Sequence, residues 1–123
     1  MPRILITGTS SGFGRATARH FLDWGWEVVA TMRHPSPEAL PVQHRLRVLP
    51  LDVTDDASIA AALTQAGPLD ALVNNAGVGM LNVLEGVEID RARELLEINV
   101  LGMMAMTRAV MPAMRRQGHG VIV

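Results

Sequence analysis

A short apolar run closed by a glycine-rich loop constrains this chain more than any other feature. Arg3-Ile4-Leu5-Ile6-Thr7 reads as a strand buried on both faces, and Thr7-Gly8-Thr9-Ser10-Ser11-Gly12-Phe13-Gly14 follows at once. Next, Arg15 to Trp24 predicts a helix, with Ala16, Ala18, Phe21 and Leu22 able to face inward and Gly25 as its stop. Between a strand and a helix, Gly8 allows a sharp turn, Gly12 lets backbone approach a pyrophosphate, and Gly14 lets the helix pack close to the sheet. The helix N-terminus then offers free N–H groups and a positive dipole to phosphate. Three glycines alone could make an ordinary turn; the placement carries the reading.

The remaining elements alternate in the same way. Strands are predicted at 27–31, 46–51 and 69–73, and 119–123 opens a fifth. The segment from His34 to His44 holds Pro35, Pro37 and Pro41, so only a turn of helix fits there. Thr54 is placed to cap a helix from Asp55 to about Gln65, and Asp90 to about Gln117 is one long helical pattern. Such alternation predicts right-handed crossovers and an α/β, doubly wound parallel sheet of Rossmann type. The expected strand order is 3-2-1-4-5, with a crevice between strands 1 and 4. One dinucleotide-binding domain over residues 1–123 is expected. Val121-Ile122-Val123 has neither cap nor polar ending, so this domain is expected to be truncated in strand 5.

Composition narrows the function classes. At 49% hydrophobic and 19% charged residues, with net charge -1, the chain is neither a disordered tail nor a nucleic-acid or membrane surface. It has no apolar stretch long enough to span a bilayer and no signal-peptide pattern at Met1-Pro2-Arg3, which makes the cytoplasm the expected location. The absence of cysteine excludes disulfides and thiolate metal sites. His20, His34, His44 and His119 show no metal-ligand spacing and are expected on the surface. Met103, Met104, Met106, Met111 and Met114 read as an apolar flank for the core or a subunit contact.

Asn74-Asn75-Ala76-Gly77 follows strand 4. Alone it is a common turn composition, but in the expected sheet it faces the glycine loop. Together with the glycine loop, Leu51-Asp52-Val53-Thr54 and Ile98-Asn99-Val100, it resembles the short-chain dehydrogenase/reductase family over essentially the whole chain. Ala30-Thr31-Met32-Arg33 and Met111-Pro112-Ala113-Met114 look most like its 17β-hydroxysteroid-dehydrogenase-like branch.

The resemblance implies that Gly8, Gly12, Phe13 and Gly14, with Ser10 and Ser11 in the same phosphate loop, line the pyrophosphate and nicotinamide-ribose side of a dinucleotide. Asp52 would bond the adenine amino group and Val53 pack on the ring; the competing reading of Asp52 is an Asx turn. Asn74, Ala76 and Gly77 would lie against the adenosine ribose and brace the sheet. Arg33, at the end of strand 2 where a carboxylate would select NAD, favours NADP over NAD, because a guanidinium binds phosphate through paired, charge-assisted hydrogen bonds. A solvated surface arginine is the alternative. In the family, Asn99 marks an irregularity in the long helix and supports a proton relay to a lysine.

The family's catalytic groups are a serine after strand 5, a tyrosine and that lysine. This chain contains no tyrosine, and its eleven basic residues are all arginine, so Asn99 can keep only a supporting part. The expected function is the cofactor-binding part of an NADP-dependent oxidoreductase interconverting alcohol and carbonyl by hydride transfer, inactive alone. A non-catalytic dinucleotide-binding or sensor module, or a remnant that binds nothing, is the alternative. The helix over residues 90–117 is expected to join subunits of a homo-oligomer.

Overall fold

The apolar runs form five parallel strands: β1 (Arg3–Ile6), β2 (Glu27–Met32), β3 (Leu46–Pro50), β4 (Ala71–Val73) and β5 (Val121–Ile122). Their spatial order is β3-β2-β1-β4-β5, as the alternation predicts. The structure, a computed structural model, describes residues 1–36 and 38–123; Pro37, one of the three prolines expected to limit helix before β3, lies outside the described residues.

Ile4, Leu5 and Ile6 of β1 lie beside Val28, Val29 and Ala30 of β2 and beside Ala71, Leu72 and Val73 of β4. Alternation along each strand divides these side chains between two cores. Leu5, Val29 and Leu72 pack with Ile59 and Ala62 of α2 (Asp56–Ala66) and with Met106 and Val110 of α4 (Met103–Gln117). Ile4, Ile6, Val28 and Ala30 pack on the other face with Ala18 and Leu22 of α1 (Gly12–Asp23). The central strands are therefore buried on both faces, which is why Ile4-Leu5-Ile6 and Val28-Val29-Ala30 are unbroken apolar runs.

Helix ends account for most departures from the expected boundaries. α1 starts at Gly12, inside the glycine loop, because glycine's poor helix propensity hides that first turn in the sequence. Ala16 is exposed rather than inward-facing. The cap of α2 is Asp55, not Thr54: the Asp55 carboxylate accepts from the N–H groups of Ala57 (2.9 Å) and Ser58 (3.3 Å), while Thr54 is engaged by Asp52. At the opposite helix ends, Arg45 donates to the Leu22 carbonyl (3.0 Å), and Arg3 and Arg47 both donate to the Ala66 carbonyl (3.0 and 2.8 Å). Two strand arginines, Arg3 and Arg47, and Arg45 just before β3 thus place cations against the negative ends of α1 and α2. The expected helix over 90–117 runs without a break through α3 (Ile89–Leu96), a π-helical stretch (Glu97–Gly102) and α4.

Candidate functional site

The loops leaving the C-terminal ends of β1, β2, β3 and β4 open onto one cleft of about 820 Å³. Its first wall is the β1–α1 loop, where Ser11 is extended (φ -160°) and its side chain makes no capping bond to α1. Gly12 takes φ +58°, a region that strains other residues, and the space where a Cβ would stand is open. Gly14 serves a different end. A Cβ there would strike the Gly8 carbonyl and the Asn75 amide, so the absence of a side chain lets α1 close onto the loop. Gly8, Ser10, Ser11 and Phe13 line the cleft, and Phe13 is 88% exposed. Gly12 and Gly14 set the loop's shape and are not among the lining side chains.

The β4 loop is tied to the glycine loop by Asn75 and Thr7. Asn75 Nδ2 donates to the carbonyls of Thr7 (3.1 Å) and Gly8 (2.9 Å), and the buried Thr7 hydroxyl accepts from the N–H groups of Asn75 (3.0 Å) and Ala76 (2.8 Å). This corrects the expectation for Asn74, whose side chain turns away to the Thr107 hydroxyl (3.2 Å) and does not line the cleft. Successive residues at a strand end point to opposite sides, so only one asparagine of the pair can reach the glycine loop. Ala76 and Gly77 do line the cleft.

On the β3 side, Asp52 Oδ1 accepts from both the hydroxyl (2.7 Å) and the N–H (2.9 Å) of Thr54, which is an Asx turn. These two bonds, the hydroxyl first, hold the Asp52 carboxyl below its ordinary value against the opposing effect of burial, and the charges of Arg33 and His34 add to them. Val53 is 8% exposed and belongs mainly to the core, so only its edge can meet anything in the cleft. Arg33 stands exposed on the rim, with no hydrogen bond or ion pair to any other described residue.

Asn99 lies within the π-helical stretch, and both ends of its amide grip one residue. Oδ1 accepts from the Val78 N–H (2.8 Å) and Nδ2 donates to the Val78 carbonyl (2.7 Å), which fixes the β4 loop where it forms the cleft wall. The far wall comes from Glu94 and Glu97, which the motifs did not point to, and from Ile98 of the Ile98-Asn99-Val100 segment. Their three- and four-residue spacing puts them on one helix face, the one sequence signal that could have found them.

A parallel sheet of order 3-2-1-4-5 with a glycine-rich first turn at its switch point is a Rossmann-type fold. The chain belongs to the short-chain dehydrogenase/reductase family: the family model described as short chain dehydrogenase matches residues 2–123. It is 40% identical to retinol dehydrogenase 8 of Bos taurus over 98% of its length and 43% of that protein's. It is 37% identical to 3-ketodihydrosphingosine reductase of Bacteroides thetaiotaomicron over 98% of its length and 45% of that protein's. The chain thus spans less than half the length of these two relatives. Among solved structures, the closed form of serine dehydrogenase complexed with NADP+ superposes with a TM-score of 0.89 at 32% identity, over 98% of this chain and 52% of that one.

Proposed function

We propose that this chain is the cofactor-binding part of an NADP-dependent oxidoreductase that interconverts an alcohol and a carbonyl. The observation that carries the reading is the convergence of the glycine loop, Arg33, Asp52 and the Ala76-Gly77 turn on one cleft. The residues fit a dinucleotide. Open space in front of Gly12 and the uncapped start of α1 suit a pyrophosphate. Ser10, Ser11 and Phe13 border that space. Asp52 Oδ1 is committed to Thr54, but its second oxygen has no partner among the described residues and can accept from an adenine amino group. Val53 would support the ring by its edge, and Ala76 and Gly77 would lie against the adenosine ribose. When bound, the nicotinamide would supply the hydride chemistry.

Arg33 is the residue that favours NADP: a guanidinium on the cleft rim, without a partner among the described residues, would bind a 2′-phosphate. Calorimetric titration of NADP+ and NAD+ into the parent and Arg33→Asp tests this. Loss of a charge-assisted contact should weaken NADP+ binding about ten- to a hundredfold. An unchanged preference would refute the arginine's role.

A second reading is a dinucleotide-binding or sensor module, which needs the same cleft and no chemistry at it. Both readings require binding, and both have the 123-residue chain inactive alone, with Asn99 supporting the cleft rather than moving a proton. The apolar side of the long helix would be a contact between subunits of a homo-oligomer.

A further inference from the structure

Beyond the ladder pair Ile6–Ala30, β1 turns away from β2 into the glycine loop. Three hydrogen bonds span the gap that opens. The Thr9 N–H (3.0 Å) and the Thr9 hydroxyl (3.1 Å) both donate to the Thr31 carbonyl, and the Thr31 hydroxyl donates back to the Ile6 carbonyl (3.1 Å). Both threonines are at most 1% exposed, so water cannot replace these bonds. The glycine loop is held independently on its other side by Asn75. The end of β2 is moored to β3, through Met32 beside Pro50 and the Leu51 N–H on the Met32 carbonyl (3.0 Å). The threonine pair is therefore the direct hydrogen-bonded tie between the loop that would hold a pyrophosphate and the strand end that carries Arg33.

We infer that Thr9 and Thr31 are positioning residues for cofactor choice, setting the distance between the phosphate loop and Arg33. The inference rests on the function proposed above. Removing either hydroxyl leaves the loop braced from the β4 side, so contacts common to NAD and NADP persist. What loosens is the register of Arg33 against the loop, which only a 2′-phosphate reads. Thr31 borders the cleft, but both hydroxyls are donated to protein carbonyls, so each threonine would act through Arg33.

The test is calorimetric binding of NADP+ and NAD+ to the chain and to Thr9→Val, Thr31→Val, Thr9→Ser and Thr31→Ser, each with and without Arg33→Ala. A lost buried hydrogen bond should weaken NADP+ binding roughly three- to tenfold in the valine variants. NAD+ binding should change by less than about twofold, and serine should restore NADP+ binding. In the Arg33→Ala background the valine changes should have no further effect. Equal losses for both cofactors, or the same loss without Arg33, would overturn the inference and leave a merely structural pair. If Thr31→Val does not fold, Thr9→Val, which keeps the Thr9 N–H bond, decides by the same criteria. A parent that shows an Arg33-dependent preference untouched by the threonines defeats this inference alone. A parent with no such preference defeats the proposed cofactor choice and this inference with it.

Discussion

Asn74 and Asn75 are adjacent and chemically identical, yet only Asn75 braces the glycine loop. Asn75→Ala leaves the Thr7 and Gly8 carbonyls without that donor and should cost about 1–3 kcal/mol, read as a lowered midpoint in urea; an unchanged midpoint would show that the brace carries no energy. The motif was legible in the sequence, but the division of labour within it was not, because it depends on which side of the sheet each residue meets after β4. Asp52 shows a similar overlay: the Asx turn weighed against a cofactor role is present, and it leaves one carboxylate oxygen without a partner among the described residues. Since the folded-state pKa of Asp52 is lowered, the stability from this turn is present above the ordinary carboxylate value. It is lost as pH falls through the lower folded value. Acid titration of Asp52→Asn against the parent should show their stabilities converging only there.

At the opposite end of the sheet, His119 Nε2 lies 2.9 Å from Asp70 Oδ1, and Asp70 Oδ2 accepts from the Arg3 N–H (2.7 Å). The pairing with Asp70, then the hydrogen bond involving Gln117, raises the His119 pKa, and the same pairing lowers that of Asp70. A raised imidazole contributes stability that is complete below its unfolded value and lost as pH rises through the folded one. The destabilisation caused by His119→Ala should therefore be greatest in mild acid and shrink on the alkaline side of the imidazole range. A difference constant across that range would show that protonation of His119 plays no part.

At the scale of elements, the long helix carries the irregularity expected at Asn99, in a form that the sequence does not state. Its periodicity reads as one helix, and Asn99 stands out because asparagine competes for backbone groups. The π-helical stretch at Glu97–Gly102 is where that competition falls. Its extra residue per turn cannot be read from apolar spacing, but it brings the Asn99 amide to both polar groups of Val78. Asn99→Ala should cost about 1–3 kcal/mol through those two unpaired groups. Loss of amide-exchange protection should be centred on Val78; undiminished protection there would contradict the clamp. The start of α1 and the cap of α2 escaped the sequence reading for smaller reasons, a glycine-rich first turn and two adjacent polar residues competing to cap.

For the molecule as a whole, strand order and the position of the cleft were legible because buried parallel strands and their crossovers leave few topologies open. The cleft wall made by Glu94, Glu97 and Ile98 was not, since it depends on how α3 meets the β4 loop. The methionines divide between roles: Met106 and Met114 are buried in the core, while Met103 and Met104 stay exposed beside Leu96, Val100 and Leu101. That exposed apolar strip is the proposed subunit contact. Leu101→Glu with Met104→Glu should lower the mass measured by light scattering, and a parent already monomeric at high concentration would count against it. Nicotinamide fluorescence, followed as NADPH is titrated into the chain with a panel of ketones and aldehydes, tests the proposed dinucleotide cleft and its lack of a tyrosine–lysine proton donor together. Reduction of a carbonyl needs a positioned proton donor, with general acid catalysis worth roughly 10²–10⁴-fold, and the sequence offers no tyrosine or lysine for it. NADPH binding should give a saturable change, and the signal should then stay constant. Absence of binding, or consumption of NADPH at an enzymatic rate that a change at Gly12 or Asn99 abolishes, would contradict this expectation.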